Sequence, residues 1–198
     1  MSVRELTVAG AWEITPAVHP DPRGRFFEWF TDREFTEMTG HRLDLRQANV
    51  SVSAAGVLRG LHFAQLPPSQ AKYVTCLHGS VFDVVVDIRL ESPTFGRWDA
   101  VTLDTVSHRS VYLSEGLAHG FVALEDDSTV AYLCSAGYAP DREHTIRADD
   151  PELAIEWPVP APVLSDRDAA APTLAEVRAA GLLPTWDEAQ EFLRGPRR

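Results

Sequence analysis

The sequence predicts an all-β fold, a barrel or sandwich of short strands finished by short C-terminal helices. Three observations predict it. Short alternating or β-rich runs recur through the first three quarters of the chain, at residues 26–30, 72–77, 81–89, 100–103, 110–113, 119–124 and 130–135. Turn formers separate them: Asp21-Pro22-Arg23-Gly24, Pro67-Pro68, His78-Gly79, Pro93 and Gly116. Helix signals gather chiefly at the end of the chain. Many short strands at close spacing, punctuated by Gly and Pro, read as all-β, and a β-barrel with a helical tail is the expected architecture.

In chain order, the first run follows the Asp21–Gly24 turn. Residues 72–77 and 80–89 flank His78-Gly79, which predicts a hairpin across a two-residue turn. Within 81–89, Phe82, Val84, Val86 and Ile88 share one face, and Asp83, Val85, Asp87 and Arg89 share the other. The first face is continuous core. The second is either solvated or turned into a polar barrel interior. Asp150-Pro151, Trp157-Pro158, Pro160 and Pro162 mark an extended segment. Thr173-Leu-Ala-Glu176 reads as a capping box that opens a helix to Ala180, and Gly181 ends it. Residues 187–193 suit a final helix. The chain, residues 1–198, is read as one domain with a helical tail from about residue 173.

Composition excludes several classes. Of 198 residues, 44% are hydrophobic and 24% charged, which is ordinary globular usage. With 18 basic against 29 acidic residues the formal net charge is −11, so the broad basic footprint of a nucleic-acid binder is missing. An anionic small ligand needs only a few local cations and stays possible. No apolar run approaches the ~20 residues of a membrane span. The N-terminus lacks an apolar signal core, so a cytoplasmic location is expected and no membrane partner. Cys76 and Cys134 are the only cysteines and are read as buried free thiols.

Four stretches could carry chemistry. The richest is Gln47-Ala-Asn49, then Arg59-Gly60-Leu61-His62, then Lys72. Histidine is the natural acid/base near neutral pH, and Lys and Arg suit a phosphate or a developing oxyanion. Simple alternation puts Arg59 and His62 on opposite faces. They serve one site only if Gly60 marks a bulge or bend. The second stretch, from Ser114 to Phe121, resembles the second half of a cupin motif. Metal-binding cupins also carry two histidines bracketing one residue, then a glutamate; here that place reads His62-Phe63-Ala64-Gln65. Three ligands cannot be gathered this way, so no metal is expected and His119 is left for a ligand. The third stretch holds Tyr132, whose phenol is either core packing or a proton donor. The fourth is Leu164-Ser165-Asp166-Arg167-Asp168, where an Asp either caps a helix or orients a histidine.

These stretches, in this order, resemble the dTDP-4-dehydrorhamnose 3,5-epimerase family from about Leu6 to about Trp186. The motifs that carry the resemblance include Asp21-Pro-Arg-Gly-Arg-Phe-Phe-Glu28, Gln47-Ala-Asn-Val-Ser51, Val57-Leu-Arg-Gly-Leu-His-Phe63, Gln70-Ala-Lys-Tyr-Val74, Gly116-Leu-Ala-His-Gly-Phe121 and Leu164-Ser-Asp-Arg-Asp168. The resemblance implies a cupin-like double-stranded β-helix, or jelly roll, and no cofactor. It implies His62 as general base, Asp168 as the acid that orients it, Tyr132 as general acid and Lys72 as the cation beside the C4 oxygen. Arg59 and His119 match contacts with the diphosphate and its surroundings. Arg23, Glu28, Gln47 and Asn49 match further nucleotide-sugar contacts. Tyr138 matches the aromatic that stacks on thymine, and Glu143 another binding position. Arg167 stands where the family often has lysine, and Asp83 is a supporting residue. The implied substrate is dTDP-4-keto-6-deoxyglucose, with inversion at C3 and C5; inversion of one centre only is the alternative. The implied assembly is a homodimer with exchanged N-terminal strands, in which Arg23 and Glu28 serve the neighbouring chain.

Overall fold

The chain's computed structural model describes residues 1–67 and 69–195; the expected turn residue Pro68 and the last residues of the expected tail, 196–198, lie outside the described residues. Thirteen strands are described: β1 (Ser2–Glu5), β2 (Ala11–Thr15), β3 (Val18–Asp21), β4 (Gly24–Phe27), β5 (Gln47–Ser53), β6 (Leu58–Ala64), β7 (Lys72–His78), β8 (Ser80–Asp87), β9 (Trp98–Asp104), β10 (Ser110–Leu113), β11 (Leu117–Ala123), β12 (Ser128–Cys134) and β13 (Glu143–Thr145). Helix α1 (Asp32–Thr39) precedes β5, and α2 (Asp166–Ala169), α3 (Leu174–Ala179) and α4 (Trp186–Arg194) close the chain. No helix among the described residues is long and apolar enough to cross a membrane.

Two antiparallel sheets form the body. The first has the order β1-β2-β10-β7-β12-β5 and the second β13-β6-β11-β8-β9, while β3 and β4 make a separate hairpin. Val74, Cys76, Val111 and Val130 of the first sheet pack against Val81, Val85, Val101, Leu103 and Phe121 of the second. The shared core between the two inner faces makes the all-β jelly roll that was expected.

The expected hairpin at His78-Gly79 is wrong. β7 pairs with β10 and β12, β8 pairs with β9 and β11, and the connection is a corner between sheets. Alternation with a Gly at the break is the same for a hairpin and for a corner. The first predicted strand also stops early, at Phe27. Trp29 and Phe30 leave the ladder to pack on Tyr73 and Phe35, and the Tyr73 hydroxyl donates to the Trp29 carbonyl at 2.7 Å. Helix α1 was not expected. Thr31 caps it, Gly40 ends it at φ +77°, and Phe35 is its one buried residue.

The two faces of β8 are both covered. Phe82, Val84 and Val86 pack under Leu153, Ile155, Leu174, Val177 and Leu183 of the C-terminal segment. Asp83, Val85 and Asp87 point between the sheets, which settles the open question in favour of a polar interior. Asp87 accepts from the Arg89 guanidinium at 2.7 Å and from the hydroxyls of Ser92 and Thr94, each at 2.6 Å. Burial pushes the Asp87 carboxyl up, but these donors outweigh it and hold it below the usual carboxylate range. The Trp186 ring lies 4.7 Å from the Arg89 guanidinium, so α4 is latched onto this end of the barrel. The capping boxes Thr173–Glu176 and Thr185–Glu188 start α3 and α4, within a residue of the expected limits.

Candidate active site

The site is organised by a bulge. His119 on β11 opposes His62 on β6, but Phe121 opposes Arg59, so three steps on β6 match two on β11. Gly60 sits in the bulge at φ +125°, and a Cβ there would lie 2.6 Å from the Cα of Gly120. Only two facing glycines let the strands approach so closely. The bulge turns Arg59 and His62 into one cleft of about 290 Å³, lined also by Leu164, Arg167 and Asp168.

His62 Nε2 lies 2.8 Å from Asp168 Oδ1. Asp168 stands in the first turn of α2, where the Ser165 hydroxyl accepts its backbone N–H at 3.1 Å. Burial raises the Asp168 pKa, but hydrogen bonds from His62, Ser165 and the Gly60 N–H bring it below the usual carboxylate range. An ionised Asp168 accepts Nε2–H and leaves Nδ1 as the bare nitrogen of a neutral ring. Next to this pair, His119 Nε2 lies 2.9 Å from Asp83 Oδ2 on the inner face of the same sheet. Both partners are buried, and Asp83 Oδ1 is buried with no hydrogen-bond partner among the described residues.

The opposite wall is the inner face of the first sheet. Gln47, Cys134 and Lys72 form one cross-strand row, and Asn49, Tyr132 and Val74 form the next. Burial lowers the Lys72 ammonium from its ordinary value, against the opposing influence of Cys134, Glu143 and Asp83. Burial and Cys134 raise the Tyr132 phenol, while the Arg59 charge and a hydrogen bond from Asn49 act the other way. Arg59 and Glu143 belong to the second sheet, whose inner face packs on that of the first through a shared core, so the two walls border one gap. Glu143 opposes Ala64 on β6, and its carbonyl accepts from Arg167 Nη2 at 3.1 Å. Tyr138 is 60% exposed, and its N–H donates to Gln47 Oε1 at 2.9 Å.

The fold thus gathers His62, Asp168, Arg59, Arg167, His119, Asp83, Lys72, Tyr132, Gln47, Asn49 and Glu143, with Tyr138 at the rim. It does not gather Arg23 or Glu28. Arg23 is exposed and its side chain bonds Asp21, at the tip of the β3–β4 hairpin, and Glu28 follows that hairpin, also exposed. Three contributors were missed in the sequence. Cys134 is wall beside Lys72, Ser53 Oγ accepts from Arg59 Nε at 3.1 Å, and Ser165 caps α2 beneath Asp168. Only Ser165 carried a readable signal, a Ser three residues before an Asp.

Chemically, a histidine braced by a carboxylate faces a phenol and an ammonium across the gap between two sheets. Such a site can take a proton from one face of a flat substrate and return one to the other. Known proteins resemble this chain closely. The family model described as dTDP-4-dehydrorhamnose 3,5-epimerase matches residues 5–176. A protein of that name from Mycolicibacterium smegmatis is 67% identical over 100% of this chain and 98% of its own length. The structure of an epimerase from Mycobacterium tuberculosis superposes with a TM-score of 0.96 at 68% identity, covering 98% of both chains. A 3'-monoepimerase from Streptomyces bikiniensis, solved with dTDP-quinovose, gives 0.93 at 49% identity, covering 97% of this chain and 98% of its own. Bulge, facing sheets and braced histidine therefore occur in a chain that belongs to the dTDP-4-dehydrorhamnose 3,5-epimerase family.

Proposed function

We propose that the chain is a dTDP-4-dehydrorhamnose 3,5-epimerase acting on dTDP-4-keto-6-deoxyglucose, and that His62 and Tyr132 are its base and acid. The ketone at C4 acidifies the hydrogens on C3 and C5. His62 Nδ1, with Nε2–H held by Asp168, removes one of them. The enolate oxygen then needs a cation or donor, and Lys72 is that group. Tyr132 returns a proton to the opposite face and inverts the centre; repetition at the second carbon gives the 3,5-inverted sugar. The sugar's oxidation state is unchanged throughout. Arg59 and Arg167 offer charge to the diphosphate, and Tyr138 offers a flat ring to the base. The observation that carries this reading is the placement of the His62–Asp168 pair and Tyr132 on facing sheets.

A single-centre reading has its own support. Relatives at 55% and 50% identity, from Streptomyces niveus and another Streptomyces, are named 3-epimerases. Proton NMR in D₂O, wild type beside His62→Ala, tests both. Deuterium at C3 and C5 with inversion at each, absent in the variant, supports the double epimerase. Label at one carbon supports the single-centre enzyme, and no label refutes both.

We further propose a homodimer in which Arg23 and Glu28 complete the partner's site. Their exposure on a hairpin apart from the cleft, and Phe26 beside them at 66% exposed, support it. Mixing Arg23→Ala with His62→Ala tests it: recovered activity in the mixture is expected, and additive inactivity refutes it.

A further inference from the structure

We infer that Gln47 and Asn49 are positioning residues that dictate where the hydrogen of the Tyr132 hydroxyl points. This rests on the reading of Tyr132 as the acid. The resemblance casts both amides as nucleotide-sugar contacts, but their hydrogen bonds say more.

The chain of bonds starts at a backbone group that can only donate. The Tyr138 N–H meets the Gln47 side chain at 2.9 Å, so the atom there is Oε1. That orientation turns Gln47 Nε2 toward Asn49, at 2.9 Å from its side chain, and the receiving atom must be Oδ1. With Oδ1 engaged, the Asn49 NH₂ faces β12, where it lies 3.7 Å from Cys134 Sγ and where Tyr132 directly opposes Asn49 across the ladder. One backbone N–H therefore sets two amides in succession, with no choice left at either.

At Tyr132 the consequence is chemical. Asn49 can donate to the phenol oxygen but cannot accept from it. The hydroxyl's own hydrogen is left to point at the substrate space. In the return step the Tyr132 O–H bond breaks, the enolate's electron pair takes the proton to form C–H, and the phenolate is held by the Asn49 N–H. Water then reprotonates it. The Arg59 charge favours the same phenolate. Because the first link is the Tyr138 backbone, seating of the nucleotide ring at Tyr138 and readiness of the acid share one hydrogen-bond chain.

The test is Gln47→Glu, with Gln47→Met and Tyr132→Phe beside it. Each is read by kcat, KM and the ratio of deuterium uptake without inversion to inversion, in D₂O at saturating substrate. A glutamate at 47 accepts at both oxygens, so Asn49 must turn its NH₂ to it and offer Oδ1 to Tyr132, which then spends its hydrogen on Asn49. Inversion should fall by about tenfold or more, part of the 10²–10⁴ that a general acid supplies, and the ratio should move toward that of Tyr132→Phe. Gln47→Met, which frees Asn49 to turn either way, should fall between. A change in KM alone, with the wild-type ratio, overturns the inference and leaves Gln47 as a binding contact. A shifted ratio in Gln47→Glu with a wild-type ratio in Gln47→Met assigns the effect to charge and also overturns it. Full inversion by Tyr132→Phe overturns the acid assignment itself.

Discussion

Two histidine–aspartate pairs stand side by side in this barrel, and they are built for different ends. His62–Asp168 and His119–Asp83 have nearly the same length, 2.8 and 2.9 Å. The His62 side chain is 36% exposed while that of His119 is 8%, and Asp168 comes from a loop-borne helix while Asp83 comes from a central strand. A histidine that must touch a ligand needs one bare nitrogen and one open face. His62 has both. His119 is enclosed, and its partner still has an oxygen unsatisfied among the described residues. The same two residue types thus stand at an open cleft in one pair and in a closed interior in the other.

The widest separation of the two pairs comes from removing each histidine. His62→Ala should lower kcat by about 10³–10⁴, the upper range for a lost base, with a smaller loss of stability than at His119, because Ser165 and the Gly60 N–H still support the Asp168 carboxylate. His119→Ala should do the reverse in emphasis and cost about 3 kcal/mol of stability, because it strands a buried carboxylate. Thermal melts beside turnover read both, and equal stability in the two variants would break the comparison.

Asp168→Asn keeps the shape of the reactive pair but not its acceptor charge. About 100-fold in kcat is expected for a mis-set base. Stability gives a signed second reading. The folded Asp168 carboxyl titrates below its ordinary 3.8, so its contribution is full above that value and is lost as pH falls through the lower folded one. The gap in Tm between wild type and Asp168→Asn should therefore narrow only in strong acid. A gap that persists there refutes the charge argument.

Lys72 tests the opposite wall. Its ammonium is lowered by burial from 10.5 while Tyr132 is raised above 10.0. As pH rises the cation goes first, so kcat should fall on the alkaline side well before a free lysine titrates. Lys72→Arg should move that limb upward, and an unmoved limb would assign it to another group. The smallest effect expected is that of Ser165→Ala, about 1 kcal/mol for a lost N-cap, felt at Asp168 and not at Asp83.

The sequence spoke clearly where chemistry is local. The capping box at Thr173–Glu176 and the alternation through 81–89 depend on neighbours in the chain, and both were legible. Long-range partnership was not. Nothing between Leu77 and Ser80 says whether the chain turns back or crosses to the other sheet. Helix α1 has Phe35 as its single buried residue, too little apolar surface to show a period. Arg59 and His62 could be joined only conditionally, through Gly60, and the bulge met the condition. Asp168 is 106 residues from His62, so only the resemblance paired them. The Tyr138–Gln47–Asn49 chain of bonds lay beyond any pattern, because it starts at a backbone N–H.

The strand order also has a kinetic side. β6 pairs with β11, β5 with β12 and β7 with β10, so most ladders join strands far apart in the chain, and only β1–β2, β3–β4 and β8–β9 join sequence neighbours. Such topologies close large loops before contacts repay them, and they fold in roughly milliseconds to seconds. The site draws on residues from Gln47 to Asp168, and every wall needs a strand from each half of that span. No fragment made partway through synthesis can hold a working pocket. Turnover should therefore appear only after the chain has folded through α2, which carries Asp168, and, in the proposed homodimer, after two chains have met.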